Sequence, residues 1–549
     1  MIRIRTACLL ATAVAVSTLA LSPATGAVMW QLPGTDLSDT TANSLVPQIA
    51  VGPDGTATAI WTHEVGGAFI VQAATRAAGS STFSAPVDLS AASGQARTPQ
   101  IAFAADGATT VVWDRFDGTN YRVQATTRAA GANTFSAPVN VSASGSDASV
   151  PEVAIAPDGT TTAVWVLFNG THDVVQTATR AAGASTFSAP VDLSDTTKNS
   201  YKPQVASGPG GTTTAVWTTN DGANDQVQAA TRPAGSNAFG AAQPLSALAQ
   251  NAREPRIGMG PNDQTTVVWQ AINGTTFQIQ ATTRAGGSGS FAAPEDLSAL
   301  GGDATNPSVA VGPDGTTTAA WFRNNGTNNI VQARTRAAGA GTFAASQDLS
   351  ASGQSAYYPD VAAGPDGLAA IVWFRTNGTN DIVQAATRGR GATSFDPAVS
   401  LSADGQNAAA QQIAVAKDGT VTAVWRRPNG TKEVVQAAST DAQPKLAQKP
   451  LNKKGKAPKK IKKNGKTVIT GKNAKTNAGN LIATKVKCTP KKKGGKRTCK
   501  VIHGSSGKVT LRTYGVPKVK VTVTQSAPET AAYLAYSKKT VYKNGKKKS

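Results

Sequence analysis

Eight tryptophans stand at positions 61, 113, 165, 217, 269, 321, 373 and 425, and every interval is 52 residues. A repeat this regular belongs to a solenoid, an array or a propeller, and the inside of one unit decides among them. In the first unit, residues 48–51 read as a short apolar strand and Pro53-Asp54-Gly55 as a turn. Residues 56–62 alternate, with Ala57, Ala59 and Trp61 on one face, and 70–76 and 83–89 follow as third and fourth strands. These runs are β-rich or of period two, are punctuated by Gly, Pro, Asp and Asn, and show no helical period. Four short strands in a unit of this length make a propeller blade. The ends give an independent test. The eighth unit has a third strand at 434–438 and no fourth strand after it. At the other end, Trp30-Gln31-Leu32-Pro33-Gly34-Thr35-Asp36-Leu37-Ser38 matches the segment that ends Asp88-Leu89-Ser90, one period earlier. The expected fold is therefore all-β: an eight-bladed β-propeller over 28–440, closed by its N-terminal strand. Closure removes the exposed sheet edges that an open array would present.

Charge divides the chain. Residues 441–549 hold 30 Lys+Arg against 2 Asp+Glu, while residues 1–440 hold the remaining 24 against 30. A mildly acidic body carries a strongly basic tail, so attraction to polyanions belongs to the tail. Residues 1–27 read as a secretory signal, with Arg3 and Arg5 at its start, an apolar run over 7–21 and small residues at Ala24 and Ala27. Cleavage is expected between Ala24 and Ala27. No second long apolar run appears, so the mature chain is expected to be secreted or associated with the cell envelope, with no transmembrane segment. Three Cys and three His exclude a disulfide-dense scaffold and leave little for a His-based metal site or triad. No cofactor and no metal are expected.

Within the ring, the first hairpin (Pro53-Asp54-Gly55-Thr56) and the third (Arg128-Ala129-Ala130-Gly131) are nearly constant from unit to unit. Constant turns reflect backbone geometry. The second hairpins and the interblade connections vary, and they share one face. Sites are grafted onto such variable loops over a rigid scaffold. Two positions after each Trp, neighbouring blades six, seven, eight, one and two carry Arg323, Arg375, Arg427, His63 and Arg115. Phe116, Tyr121, Phe322 and Phe374 adjoin them, with Tyr357 and Tyr358 in a nearby connection. Guanidinium forks recognise carboxylates, sulfates and phosphates, and aromatic faces stack on sugars. His63, Arg115, Phe116, Tyr121, Arg323, Arg375 and Arg427 are thus the expected ligand-binding set, for an acidic glycan or another anionic ligand. The plainer alternative is solvated strand-end arginines paired with local acids. A second arginine ring (76, 128, 180, 232, 284, 336, 388), a Gln ring beginning at Gln72 and a fourth-strand Asp ring beginning at Asp36 recur too regularly to be a site and read as structural pairs. Asn-Gly-Thr at Asn169, Asn273, Asn325, Asn377 and Asn429 reads as turn chemistry.

The Pro-Asp-Gly-Thr…Trp pattern of the blades, as in Pro157 to Trp165, resembles the repeat-rich propellers of the sialidase-like superfamily. The resemblance covers about 28–440. It implies a glycan-handling propeller, with glycoside hydrolysis as its enzymatic form. The superfamily's aspartate box, Ser-x-Asp-x-Gly-x-Thr-Trp, does not fit here, and its Tyr–Glu nucleophile and acid/base Asp have no assignable place. Glu64 and Tyr121 are the nearest substitutes. Hydrolysis needs two suitably spaced carboxyls or the Tyr–Glu variant, and no nucleotide loop, H-E-x-x-H or C-x-x-C motif is present.

Residues 441–475, rich in Lys, Gly, Asn and Pro, read as a linker. Residues 476–549 read as a small β-sandwich-like module with strands over 481–488, 499–502, 508–514, 518–525, 532–536 and 540–542. Cys488 and Cys499, the two mature cysteines, are expected to form one disulfide. Export makes an anionic cell-envelope polymer the expected partner of this module, with no specific nucleic acid. The composite expectation is a secreted, monomeric, non-catalytic binding propeller with a cationic envelope-associating module. A sialidase-like glycoside hydrolase and a structural or protein-interaction ring are the alternatives.

Overall fold

A computed structural model describes residues 28–442 without interruption and, beyond them, segments of the basic region as far as residue 548. The expected signal at 1–27 lies outside the described residues. Blade 1 comprises Ser44–Val51, Ala57–Val65, Ala68–Arg76 and Val87–Asp88, paired antiparallel in that order. Six further blades repeat it. The eighth is built from Ala409–Val415, Val421–Pro428, Glu433–Thr440 and, from the other end of the chain, Trp30–Asp36. Trp30 pairs with Thr440 and Asp36 with Gln436. The innermost strands touch their neighbours all round, and Ser44–Val51 meets both Ala96–Phe103 and Ala409–Val415, so the ring is closed. The fourth strand is shorter than expected: only Val87–Asp88 pairs with Gln72–Ala73.

Packing explains the repeat. All eight repeat tryptophans are fully buried between adjacent blades. Each hides roughly 200 Å2, about 5 kcal/mol of transfer free energy before entropy. At Trp61, Trp269 and Trp321 the repeated Gln accepts the indole N–H, and in most blades that Gln donates to the fourth-strand acid or amide. Trp61 Nε1 donates to Gln72 Oε1 (3.2 Å), and Gln72 Nε2 donates to Asp88 Oδ1 (2.8 Å). The arginine ring staples blades together. Arg128 donates to Thr75 (2.8 Å) and Thr58 (3.0 Å) of blade 1, with its guanidinium over the Phe135 ring of its own blade. Arg76 does the same across the closure, to Ser439 and Thr422 of blade 8. Burial lowers the pKa of these arginines, to about 10 at Arg388, so they remain charged at neutral pH.

The turn Asp has a local task. Asp54 Oδ1 accepts the Thr56 N–H, and Gly55 takes φ 95°. Blade 4 has Gly210 in that place, and the missing carboxylate comes from the next blade. Asp263, at φ 61°, accepts the Gly210 N–H (2.6 Å) and the Thr212 hydroxyl (2.6 Å).

Each innermost strand carries a bulge with one non-glycine residue in the left-handed region. These are Val46, Thr98, Val150, Lys202, Glu254, Asn306, Tyr358 and Ala410, with φ between 46° and 57°. The strain is greatest for the β-branched members and amounts to about 1–3 kcal/mol per residue. It lies at the end of the strand next to the variable face, two positions before the residue that faces the axis.

In the basic region, Asn464–Thr470, Val509–Tyr514 and Cys499–His503 form one sheet, and Ala483–Thr489, Lys520–Ala527, Tyr536–Lys543 and Lys546–Lys548 form a second. Ile469, Leu511, Val523 and Tyr542 share a core between them. The Cys488–Cys499 disulfide joins the two sheets. The expected linker therefore ends earlier than residue 475. Asn464–Thr470 belongs to the sheet, because Ile469 is buried while Lys466 and Val468 point outward. The expected strand at 532–536 falls mostly outside the described residues, which resume at Tyr536.

Candidate functional site

The axis of the ring is lined by one residue from each innermost strand, and these too recur every 52 residues: Gln48, Gln100, Glu152, Gln204, Arg256, Ser308, Asp360 and Gln412. They surround a cavity of about 750 Å3. The strands alternate, so the flanking residues, such as Ile49 and Ile101, turn into the blades as apolar packing. Glu254, Asn306, Tyr358 and Ala410 of the bulges also border the cavity, as does Phe374.

Three of the eight axial side chains carry charge. Glu152 of blade 3 and Asp360 of blade 7 stand four blades apart, on opposite sides of the ring. Arg256 of blade 5 lies midway between them. Gln204 donates to Glu152 Oε1 at 2.8 Å and Gln100 to the same oxygen at 3.2 Å. Asp360 accepts the Ile413 N–H at 3.0 Å and the Ser308 hydroxyl at 3.3 Å. Burial pushes Glu152 up to about 7, against the downward pull of Arg256 and Gln204. Burial likewise pushes Asp360 up to about 6, against the N–H groups of Ile413 and Val361 and the charge of Arg256. Both keep partial access to the axis, and Glu152 exchanges its proton near neutrality.

Beside the mouth, Tyr358 and Phe374 belong to a cluster of four rings with Phe322 and Tyr357, with centroids 5.4–6.4 Å apart. Tyr358 is 55% exposed. Its outward pose follows from the bulge, since a left-handed residue turns the next step of the strand and re-aims the side chain. At blade 2, Phe116 and Tyr121 are 5.3 Å apart, and the Arg97 guanidinium lies 3.3 Å from the Tyr121 ring centre. Arg97 also pairs with Asp114 at 2.7 Å; Asp114 is fully buried, which raises its pKa.

The residues expected from sequence to bind ligand stand apart from the axial cavity, and none of the seven borders it. His63 is buried, with Nδ1 2.9 Å from the Ser44 hydroxyl, and burial lowers its pKa. Arg115 donates to the backbone carbonyl and the hydroxyl of Ser93. Arg323 donates to the carbonyls of Ala299 (3.2 Å) and Leu300 (2.8 Å). Arg427 grips Asp36 (3.1 Å) and Gln406 (3.1 Å). These guanidinium groups hold interblade connections and the closing strand. Arg375 is half-buried opposite Ala356 in the strand register. Sequence reading missed the axial ring. Its signal was a polar residue at one fixed place in every first strand, directly after a Pro in blades 1 to 7. Among the described residues, no group of three His, Cys, Asp or Glu is placed to hold a metal ion.

No protein-family model matches the chain, and no curated protein matches it. Among solved structures, a PL25 ulvan polysaccharide lyase is similar at 9% identity and a TM-score of 0.46, over 67% of this chain and 97% of that one. An α-L-arabinanase from Penicillium chrysogenum is similar at 11% identity and a TM-score of 0.38, over 65% and 98% of the two chains. The NanB sialidase from Streptococcus pneumoniae gives 10% and 0.33, over 76% and 71%.

Proposed function

We propose that this chain is a secreted, monomeric, non-catalytic propeller that binds a glycan at the axial cavity, entered from the variable face. One observation carries the reading: a cavity of about 750 Å3 ringed by amide, carboxyl and guanidinium groups, with the exposed Tyr358 ring at its edge. Amides and the Glu152 carboxyl, half-protonated near neutrality, donate and accept at once, as vicinal hydroxyls require, and an aromatic face covers the apolar side of a sugar. The charge balance narrows the class. Four carboxyls (Glu152, Glu254, Asp360 and Asp381) face two guanidinium groups (Arg256 and Arg426), so a polyanion is repelled, and the ligand carries at most one acidic group, seated at Arg256. The basic module holds the propeller near an anionic cell envelope. The test is binding of the full mature chain to neutral, singly acidic and polysulfated glycans at physiological salt. Saturable binding that falls at least tenfold in Tyr358→Ala and Gln204→Ala, and is unchanged in Arg323→Ala, supports the axial site. Loss in Arg323→Ala with retention in the axial variants returns the site to the arginine sector.

A second reading, a glycoside hydrolase, draws support from two carboxyls, Glu152 and Asp360, lining one cavity, with Glu152 raised by burial to about 7 as a general acid requires. Release of reducing sugar by the wild type and its abolition in Glu152→Gln and Asp360→Asn distinguishes it from the binding reading.

A further inference from the structure

Blade 8 departs from the repeat at three consecutive positions. Ala409, Ala410 and Gln411 stand where blade 7 has Tyr357, Tyr358 and Pro359. Every other blade carries a side chain larger than alanine at the first two places and proline at the third. The result is a local opening. Along blades 1 to 4 the axial cavity is bordered by the axial residues alone. At blades 7 and 8 it reaches outward to Phe374 and Arg426 on the second strands and to Asp381 on a third. One flank of this groove is the Tyr358 ring beside Phe374, with centroids 5.8 Å apart. Gln411 supplies its polar end. Gln411 is 3% exposed, lines the cavity and reaches across the blade junction, where Nε2 donates to the Tyr358 carbonyl at 2.6 Å. A carbonyl only accepts, so this contact fixes which end of the amide faces it. Oε1 is thereby left buried with no hydrogen-bond partner among the described residues. A buried acceptor without a donor is costly, and the proline of the other seven blades would carry no such group.

We infer that the ligand has at least two sugar units, the first at the axis and the second, neutral, in the groove between blades 7 and 8, where one of its hydroxyls donates to Gln411 Oε1. The inference rests on the reading of the axial cavity as a glycan site and gives that glycan a length and a direction. Eight similar blades offer a ligand no preferred radius; the small residues and the unpaired acceptor of blade 8 single one out. The apolar face of a sugar ring lies against Tyr358 and Phe374, and Ala409 and Ala410 leave the room for it. The groove's cation, Arg426, is already paired with Glu433 at 3.5 Å, and Asp381 adds a negative charge, so an acidic second unit is disfavoured. The cavity volume of about 750 Å3 is that of a site for a drug-sized ligand, larger than one sugar ring.

The experiment is calorimetric titration of the full mature chain with the monomer and the linear trimer of glucose, of mannose and of N-acetylglucosamine. Wild type is compared with Gln411→Pro, which removes the acceptor, and with Ala410→Tyr, which fills the groove. Each variant gives blade 8 a residue that blade 7 already holds at the same place, Pro359 and Tyr358, so the fold is retained, and thermal melts check it. At least one trimer is expected to bind wild type tenfold or more tighter than its monomer. That ratio should fall about tenfold in both variants, the worth of one hydrogen bond to a buried acceptor in the case of Gln411→Pro. A trimer that binds wild type no tighter than its monomer overturns the inference and leaves the axial reading standing. A ratio unchanged in both variants places the second unit elsewhere and overturns it too. A ratio that falls in Ala410→Tyr alone overturns the assignment of the donor to Gln411. Absence of binding by every monomer and trimer removes the axial reading itself, and the inference with it.

Discussion

Replacing Glu152 by Gln should stabilise the ring, and only above a definable pH. Gln keeps the oxygen that accepts from Gln100 and Gln204 and removes the ability to ionise. The folded carboxyl titrates at about 7 against 4.5 for an unperturbed glutamate, burial being the dominant cause. At about 1.4 kcal/mol per pH unit, that difference corresponds to about 3 kcal/mol, and partial access to the axis reduces it to about 2. Below pH 4.5 both the folded and the unfolded chain carry the proton, and wild type and variant are equal. Between 4.5 and 7 the unfolded chain releases the proton while the folded chain retains it, so wild-type stability falls as pH rises. Above 7 the full difference is present. A ring of about 410 residues has an unfolding entropy near 0.9 kcal/mol/K, so the variant should melt about 2–4 °C higher at pH 8.5 and at the wild-type temperature at pH 4.5. Scanning calorimetry from pH 4.5 to 8.5 is the assay. Asp360→Asn should show the same sign over a lower window, between 3.8 and about 6. A melting difference that does not change with pH would falsify the account, because Glu152 would then ionise as an open surface acid does.

Arg232→Met should destabilise the ring by about 2–4 kcal/mol, since it orphans Thr162 and Thr213 at a buried blade junction; denaturant midpoints of wild type and variant measure it. Asp263→Ala should lose about 1–3 kcal/mol by freeing the Gly210 N–H and the Thr212 hydroxyl. Gly210→Asp alone should also destabilise, as a Cβ there would lie 2.5 Å from Asp263 Oδ2, yet the double variant should recover most of the stability by returning the carboxylate to its own blade. Absence of that recovery in thermal melts refutes the exchanged turn. Cys488→Ser should destabilise the C-terminal module by about 3 kcal/mol, as expected for a loop of 11 residues, and leave the ring's transition in place; the melting profile separates the two.

The ring was legible because a fully buried indole at a fixed place admits no substitute, so Trp61 and its seven counterparts mark every blade with the same letter. The closing strand was legible for a related reason, since Asp36 occupies the place of Asp88 and receives the same amide, from Gln436. The axial ring was hidden because its only common property is polarity. Gln48, Glu152, Arg256 and Ser308 differ in charge and in the groups they present, and the cavity they help form depends on closure. At the strand-end arginines, sequence does not tell whether a long side chain reaches out to solvent or back to a carbonyl. Arg323 reaches back, to Ala299 and Leu300. The turn Asp is replaced by Gly210 in blade 4 and by Asn262 in blade 5, and the cause lies one residue beyond the repeat position, in Asp263 of blade 5, which serves blade 4. In the tail, Lys and Gly density masked the alternation of Asn464–Thr470.

The N-terminal strand also sets a timetable for folding. Trp30–Asp36 is the first strand of the ring to be synthesised, and its partner Glu433–Thr440 is the last. At about 5–20 residues per second, the intervening chain takes roughly 20–80 s to emerge. For that interval the growing array has an unpaired strand at its head, carrying Trp30, and an open edge at its tail. Either one is a template for a second copy. Order of synthesis thus makes the nascent chain most prone to strand exchange between copies just before blade 8 is complete, and a chain truncated short of Glu433 would stay in that state.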